Sequence, residues 1–302
     1  MSLIHQNFGE IEELFDTLLV DAYGVFWGSK SAIPESLERM ARLVRLGKRV
    51  CILSNTTVLG EPAAQSYEQK GILKGTHFTD IVTSGDVFHY HLMCDKLPCA
   101  GHNLYPIGVM RWSWENIPRF KLVSKLSQAD MLFFGTPQIF REELKQHPEY
   151  HSIAHPTRSD PKCYNLTDLK PFERQLEELV LTGLPAVSTN PDLIALENGY
   201  WVVRQGSVAE KYRQLGGQVF EFGKPYRNMY EYAFRYLGIE PSKRTAMIGD
   251  TYRTDIRGAL DSGITPVWCL DWGVAKYEEE HGHPLIEQAG GSLDGIILIH
   301  HL

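Results

Sequence analysis

The chain has 302 residues, 43% hydrophobic and 22% charged, with 30 Lys and Arg against 37 Asp and Glu and a formal net charge of -7. That composition excludes a disordered chain, and the length provides for one large domain or two ordinary ones. The acidic balance argues against nucleic acid as a partner, and no run approaches the about 18 apolar residues that a membrane helix needs. The first ten residues have no basic segment followed by an apolar run, so no signal peptide is expected. Five scattered cysteines (Cys51, Cys94, Cys99, Cys163 and Cys269) form no Cys-x-x-Cys pair, which points to reduced thiols and a soluble, cytoplasmic protein.

In chain order, the apolar run 17–26 (TLLVDAYGVF) predicts a buried strand ending in a glycine-containing loop. Residues 34–46, with apolar positions 37, 40, 43 and 44, predict a helix stopped by Gly47. A second strand is expected over 49–54, a helix over 61–70 closed by Gly71, and a third strand over 80–83. From about Asp86 to Gln218 the pattern is self-sufficient, with strands expected at 103–109, 130–134, 186–189 and 201–203. The βα rhythm then resumes: strand 219–222, helix 227–237, strand 245–248, helix 254–262 and strands 265–270 and 295–299. Such alternation predicts a parallel sheet covered on both faces, whose ligands bind at the carboxyl ends of the strands. The expected architecture is α/β: a Rossmann-like core of residues 1–85 and 219–302, and an inserted domain of residues 86–218. The Gly85 and Gly217 regions are the expected hinges.

The polar residues at the strand ends are ordinary one by one. Asp21 follows Leu18-Leu19-Val20 and fits a loop-capping carboxylate as well as a ligand site. Ser54-Asn55 ends the second strand, where a hydroxyl and neighbouring amides suit an anion but are also common turn residues. Lys224, between Gly223 and Pro225, offers a fixed cation or merely a solvated one. Asp250 and Asp255 straddle a strand end and a helix start. Asp255 there complements the helix dipole, and the pair also suits Mg²⁺, which takes one or two carboxylates.

Taken together, these four elements are far more specific. They resemble the haloacid dehalogenase superfamily of phosphohydrolases: motif I at Asp21, motif II at Ser54, motif III at Lys224 and motif IV at Gly249-Asp250 with Asp255. The stretch Ser188-Thr189-Asn190-Pro191-Asp192 resembles the Thr-Asn-Pro-Asp signature of class IIA, the NagD-like subclass with a large C2-type α/β cap between motifs II and III. The resemblance covers about residues 15–275. It implies a phosphatase of small phosphorylated metabolites in which Asp21 attacks phosphorus to form an aspartyl phosphate. Mg²⁺ would be held by Asp21, Asp250 and the backbone carbonyl of Tyr23, with Asp255 in support. Lys224 and Ser54 would hold the phosphoryl oxygens, and Asn55, with Asn190 and Asp192 of the cap, would contact substrate. It also implies a homodimer formed through the cap.

The pattern breaks at one position. Such phosphatases read Asp-x-Asp at motif I, the second Asp moving protons, and here that position is Tyr23. The metal site is expected to survive through the backbone carbonyl, while the usual acid–base group is missing. General acid–base catalysis supplies about 10²–10⁴-fold, so turnover is expected to be slow or selective for good leaving groups. A phospholigand-binding protein and a phosphotransferase are the alternatives on this fold. The residues Asp86, His89, His91, Cys94 and Asp95 match no zinc spacing and are read as ordinary helix residues. Arg111, Trp112 and Trp114 are read as a packed aromatic patch, and the C-terminal histidines are given no role.

Overall fold

The computed structural model describes residues 3–5, 8–28, 31–97, 101–110, 118–157 and 160–302. Cys99 and the stretch Arg111–Trp114 lie outside them. The chain divides into two compact units, Met1–Val87 with Gly223–Leu302, and Phe88–Phe222.

In the first unit, seven parallel strands form one sheet among the described residues. Its order is Leu3–His5, Ile297–Ile299, Thr265–Cys269, Thr245–Gly249, Thr17–Val20, Arg49–Ser54 and Asp80–Thr83. The central strands are continuously apolar because helices cover both faces. Leu18, Val20, Ile52 and Ile248 belong to one buried cluster, and Trp268 and Leu298 pack with Ile256 and Ala275 in another. Successive strands step one way from Thr17–Val20 and the other way from Thr245–Gly249. The crevice between the carboxyl ends of these two neighbours is therefore the topological switch point, where open α/β sheets bind ligands.

Several elements differ from the sequence pattern. The first strand stops at Val20, although the apolar run continues to Phe26. Ala22, Val25 and Phe26 are all buried, but in a turn: both Phe26 and Trp27 donate their amides to the Ala22 carbonyl. The helix expected from Thr254 opens with a π-helical turn, Tyr252–Ile256, before the α-helix Arg257–Asp261. Helix Arg227–Leu237 and strands Arg49–Ser54 and Asp80–Thr83 form where the pattern places them.

The second unit holds a five-stranded parallel sheet in the order Val219–Glu221, Ala186–Ser188, Met131–Phe134, Asn103–Ile107 and Lys121–Leu122. Residues 219–222 thus leave the core to which the sequence assigned them, because Val219–Glu221 pairs with Ala186–Ser188. A three-stranded antiparallel sheet joins Gln138–Phe140, Cys163–Leu166 and Ala154–Pro156. Among the described residues Tyr200–Val203 pairs only in a hairpin with Ile194–Glu197, turned by Asn198 and Gly199, both at positive φ. Gly85 lies within helix Ser84–Met93, two residues before the division at Val87, and Gly217, which packs against the Tyr212 ring, lies five before that at Phe222.

Candidate active site

Asp21 leaves the central strand at the switch point, its amide bonded to the Ile248 carbonyl at 2.9 Å. One strand over, Gly249 ends the neighbouring strand and hands the chain to Asp250. Gly24, in a turn, and Gly273, the first residue of helix Gly273–Glu280, close on Asp250. Both have positive φ (78° and 74°), and a Cβ on either would run into the Asp250 carboxylate. Asp250 Oδ2 accepts the Val274 amide at 2.5 Å and Oδ1 the Thr251 hydroxyl at 3.1 Å. Its carbonyl accepts the Trp268 indole at 3.0 Å and the Ala275 amide at 3.1 Å, fixing the residue from both ends.

The π-helical turn carries Asp255 inward rather than along a helix surface. Its backbone amide bonds to the Thr251 carbonyl, and its Oδ2 accepts the Thr251 amide at 3.1 Å. Lys224 reaches this carboxylate and Asp21 at once, with Nζ 2.7 Å from Asp255 Oδ1 and 2.5 Å from Asp21 Oδ1. Lys224 is 2% exposed, so its charge is committed to these acids instead of solvent. Asn55 holds the lysine backbone with both ends of its amide: Oδ1 accepts the Lys224 amide at 2.7 Å, and Nδ2 donates to the Lys224 carbonyl at 3.2 Å. The side chain expected at substrate is thus engaged in positioning the cation. Ser54 is buried at its strand end and accepts the Thr56 amide at 3.3 Å, leaving its own proton to give to an anion.

Electrostatics make this a strained cluster of charge. Burial, then the negative charges of Asp21 and Asp255, push the Asp250 carboxyl well up, against the opposing Val274 and Thr251 hydrogen bonds. Burial likewise raises Asp255 to about 7, with Lys224 the largest influence holding it down. Among the described residues, Asp21, Asp250 and Asp255 form the group of acids able to share a metal ion, their ligand atoms lying within 4.8 Å of one another. Ionised, the three outweigh the single ammonium by two charges in a water-poor site. Asp255 Oδ1, although beside Nζ, accepts no well-aligned hydrogen bond. An all-oxygen donor set with a deficit of two positive charges fits a hard divalent cation.

All the residues singled out at strand ends gather in this unit; Asn190 and Asp192 belong to the other. There the Asn190 side chain accepts the Asp192 amide at 3.0 Å, forming a local turn after strand Ala186–Ser188. Sequence reading missed Thr251 and Gly273, and took Gly24 only as a turn residue. Their part is visible only once three distant segments meet at Asp250. Asp86, set aside as an ordinary helix residue, bonds the Gly60 amide and the Thr83 amide and hydroxyl.

Family models carry the same reading. A haloacid dehalogenase-like hydrolase model matches residues 18–108 and a HAD-hydrolase-like model residues 221–287, so the two together bracket every element of the site. The chain belongs to the haloacid dehalogenase-like hydrolases. Within this family it is 34% identical over 102 residues to an acid sugar phosphatase of Staphylococcus epidermidis, a match spanning 33% of this chain and only 38% of that relative. It is 24% identical over 281 residues to a 4-nitrophenylphosphatase of Schizosaccharomyces pombe, covering 91% of this chain and 89% of that one. Its fold resembles a haloacid dehalogenase-like hydrolase of Brucella suis (TM-score 0.75, 20% identity, 99% of both chains). It also resembles NagD of E. coli K-12 (TM-score 0.58, 17% identity, 94% of this chain and 96% of that one). No helix of the described residues is long and apolar enough to cross a membrane.

Proposed function

We propose that the protein is a Mg²⁺-dependent phosphatase of small phosphorylated metabolites, with Asp21 as its nucleophile. The observation that carries this reading is the buried Lys224 bridging Asp21 and Asp255 beside Asp250. A carboxylate and an incoming phosphate repel each other, and this site assembles counter-charge against that repulsion. Mg²⁺ held by Asp21, Asp250 and the Tyr23 carbonyl, with Asp255 in support, would offset the charge between nucleophile and phosphate. Lys224 and the Ser54 hydroxyl hold phosphoryl oxygens as charge develops on them. A bond forms from Asp21 to phosphorus while the bond to the leaving oxygen breaks, its electron pair departing with that oxygen. Water then attacks the aspartyl phosphate, releasing phosphate and restoring Asp21. Fixing the cation through Asn55 keeps it aligned through both steps.

Tyr23 sets the limit on this chemistry. A phenol with an ordinary pKa of about 10 is a poor base near neutrality, so leaving groups that need no proton are favoured. The same residue is what favours the second reading, a phospholigand-binding protein with slow turnover. The names of the relatives, an acid sugar phosphatase and a 4-nitrophenylphosphatase, support the hydrolase. A reducing cytoplasm suits its free thiols at Cys51, Cys94, Cys163 and Cys269.

Phosphate release from aryl, acyl and sugar phosphates, with and without Mg²⁺ and beside Asp21→Asn, tests the proposal. Metal-dependent release abolished in the variant is the expected result. Release equal in both proteins would refute the nucleophile, and none in either would move the binding reading ahead.

A further inference from the structure

Beside the carboxylate cluster, the same unit contains a cavity of about 160 Å³ whose walls include Tyr23, Trp27, Ser54, Thr56, Tyr67 and Lys70. It adjoins the reacting centre through Tyr23, two residues after Asp21, and Ser54, at the end of the next strand. The backbone builds its far wall. Helix Gly60–Glu68 presents Tyr67, and the turn after it, with the Lys70 amide on the Tyr67 carbonyl and Gly71 at φ 81°, folds Lys70 back over that ring. The Lys70 ammonium lies 4.9 Å from the centre of the Trp27 ring and 5.7 Å from that of Tyr67. Tyr67 is itself held by an edge-on contact with buried Phe26, 5.7 Å between ring centres.

Aromatic faces orient a cation without cancelling its charge. Among the described residues no carboxylate pairs with Lys70, whereas Lys224 spends its charge on two. The remaining lining adds the hydroxyls of Ser54 and Thr56. A cavity of about 150 Å³ accepts a benzene-sized guest, so this one accommodates about half a dozen heavy atoms. An oriented, uncompensated ammonium in a small hydroxyl-bearing cavity next to a phosphate site selects a leaving group that is itself anionic.

We propose that Lys70, held by Trp27 and Tyr67, is a specificity residue for phosphate monoesters of small hydroxy acids, binding the carboxylate of the leaving group. The inference rests on the phosphatase reading of the neighbouring site and names its substrate class. In the reaction the bond between phosphorus and the ester oxygen breaks and that oxygen keeps the electron pair; with Tyr23 where the motif I Asp would stand it takes its proton from water, so these esters turn over slowly, and the carboxylate is unchanged.

The test compares 3-phosphooxypropionate with 3-hydroxypropyl phosphate, which replaces the carboxylate by an uncharged alcohol and leaves an alkoxide of similar kind. The native protein is expected to favour the acid in kcat/KM by about tenfold, the effect of one charged hydrogen bond at the low end of its range because Lys70 is exposed. Lys70→Met should bring that ratio close to one, Lys70→Arg should keep most of it, and added salt should erode it in the native protein. Trp27→Leu, which frees the ammonium from its guide, should lower the ratio with Lys70 still present. Equal ratios in the native protein and Lys70→Met would overturn the proposal. Should neither ester turn over, phosphate release from the aryl and acyl phosphates decides the phosphatase reading separately, and calorimetry with 3-phosphonopropionate against propylphosphonate decides the pocket. Tighter binding of the acid, lost in Lys70→Met, upholds it, and equal binding overturns it.

Discussion

Replacing Lys224 with Met keeps a long apolar stem and deletes only the ammonium, so it isolates what that charge does for two buried acids. In the native protein Nζ lies 2.5 Å from Asp21 and 2.7 Å from Asp255, and Asp255 is 1% exposed. Removing one partner of a buried ion pair costs about 3–5 kcal/mol, because the surviving charge is left uncompensated. Here the cost carries a pH signature. The Asp255 carboxyl already titrates at about 7, held down chiefly by Lys224 against burial, and rises further once that cation is gone. An acid whose folded pKa exceeds its unfolded value, about 3.9, stabilises fully below the unfolded value and loses that contribution as pH rises through the folded one. In metal-free native protein the Asp255 contribution therefore declines up to about pH 7 and then levels off, whereas in Lys224→Met it continues to fall by about 1.4 kcal/mol per pH unit. Urea unfolding in chelator should show a destabilisation larger at about pH 8.5 than at about pH 5.5 by about 2 kcal/mol. A difference between the two proteins that stays constant with pH would refute the coupling of Lys224 to Asp255.

Tyr23→Asp supplies the missing carboxylate and should raise kcat for alkyl phosphates by up to about 10²–10⁴-fold, with little gain for aryl esters, in steady-state assays across a leaving-group series; a uniform gain would contradict the role given to this position. Asn55→Ala removes both hydrogen bonds on the Lys224 backbone and should cost about 1–3 kcal/mol by urea unfolding, with a fall in kcat exceeding any rise in KM. Gly24→Ala forces a Cβ into the Asp250 carboxylate at a positive φ, so calorimetry should show weaker Mg²⁺ binding together with a loss of at least about 1 kcal/mol of stability. Mg²⁺ must displace protons from Asp250 and Asp255, both pushed up by burial, so its affinity should rise with pH through about 7, as competition titrations would show.

Local pattern was enough to find the parallel strands, whereas Asp21, Ser54, Lys224, Asp250 and Asp255 are each ordinary alone, and only their joint resemblance to the haloacid dehalogenase motifs singles them out. Local pattern misjudged where chain direction changes. The run 17–26 is apolar throughout, and only the hydrogen bonds of Phe26 and Trp27 to Ala22 distinguish a buried turn from a longer strand. It also assigned 219–222 to the core, since a short apolar strand carries no mark of which sheet it will join.

The chemistry available to this protein was thus written in residue types at strand ends, together with the one departure at Tyr23. Tertiary structure decided what those residues do to one another. Lys224 is an ordinary loop lysine in the sequence and becomes a buried bridge because Asn55, far away in the chain, clamps its backbone. Asp255 reads as a helix-capping acid, yet a π-helical turn carries it into a site where burial moves its pKa to about 7. Lys70 carries no mark in the sequence, and only the fold brings the Trp27 and Tyr67 rings beside its ammonium. Side-chain identity is a property of one position, whereas burial, pairing and orientation are set by neighbours that only the folded chain supplies.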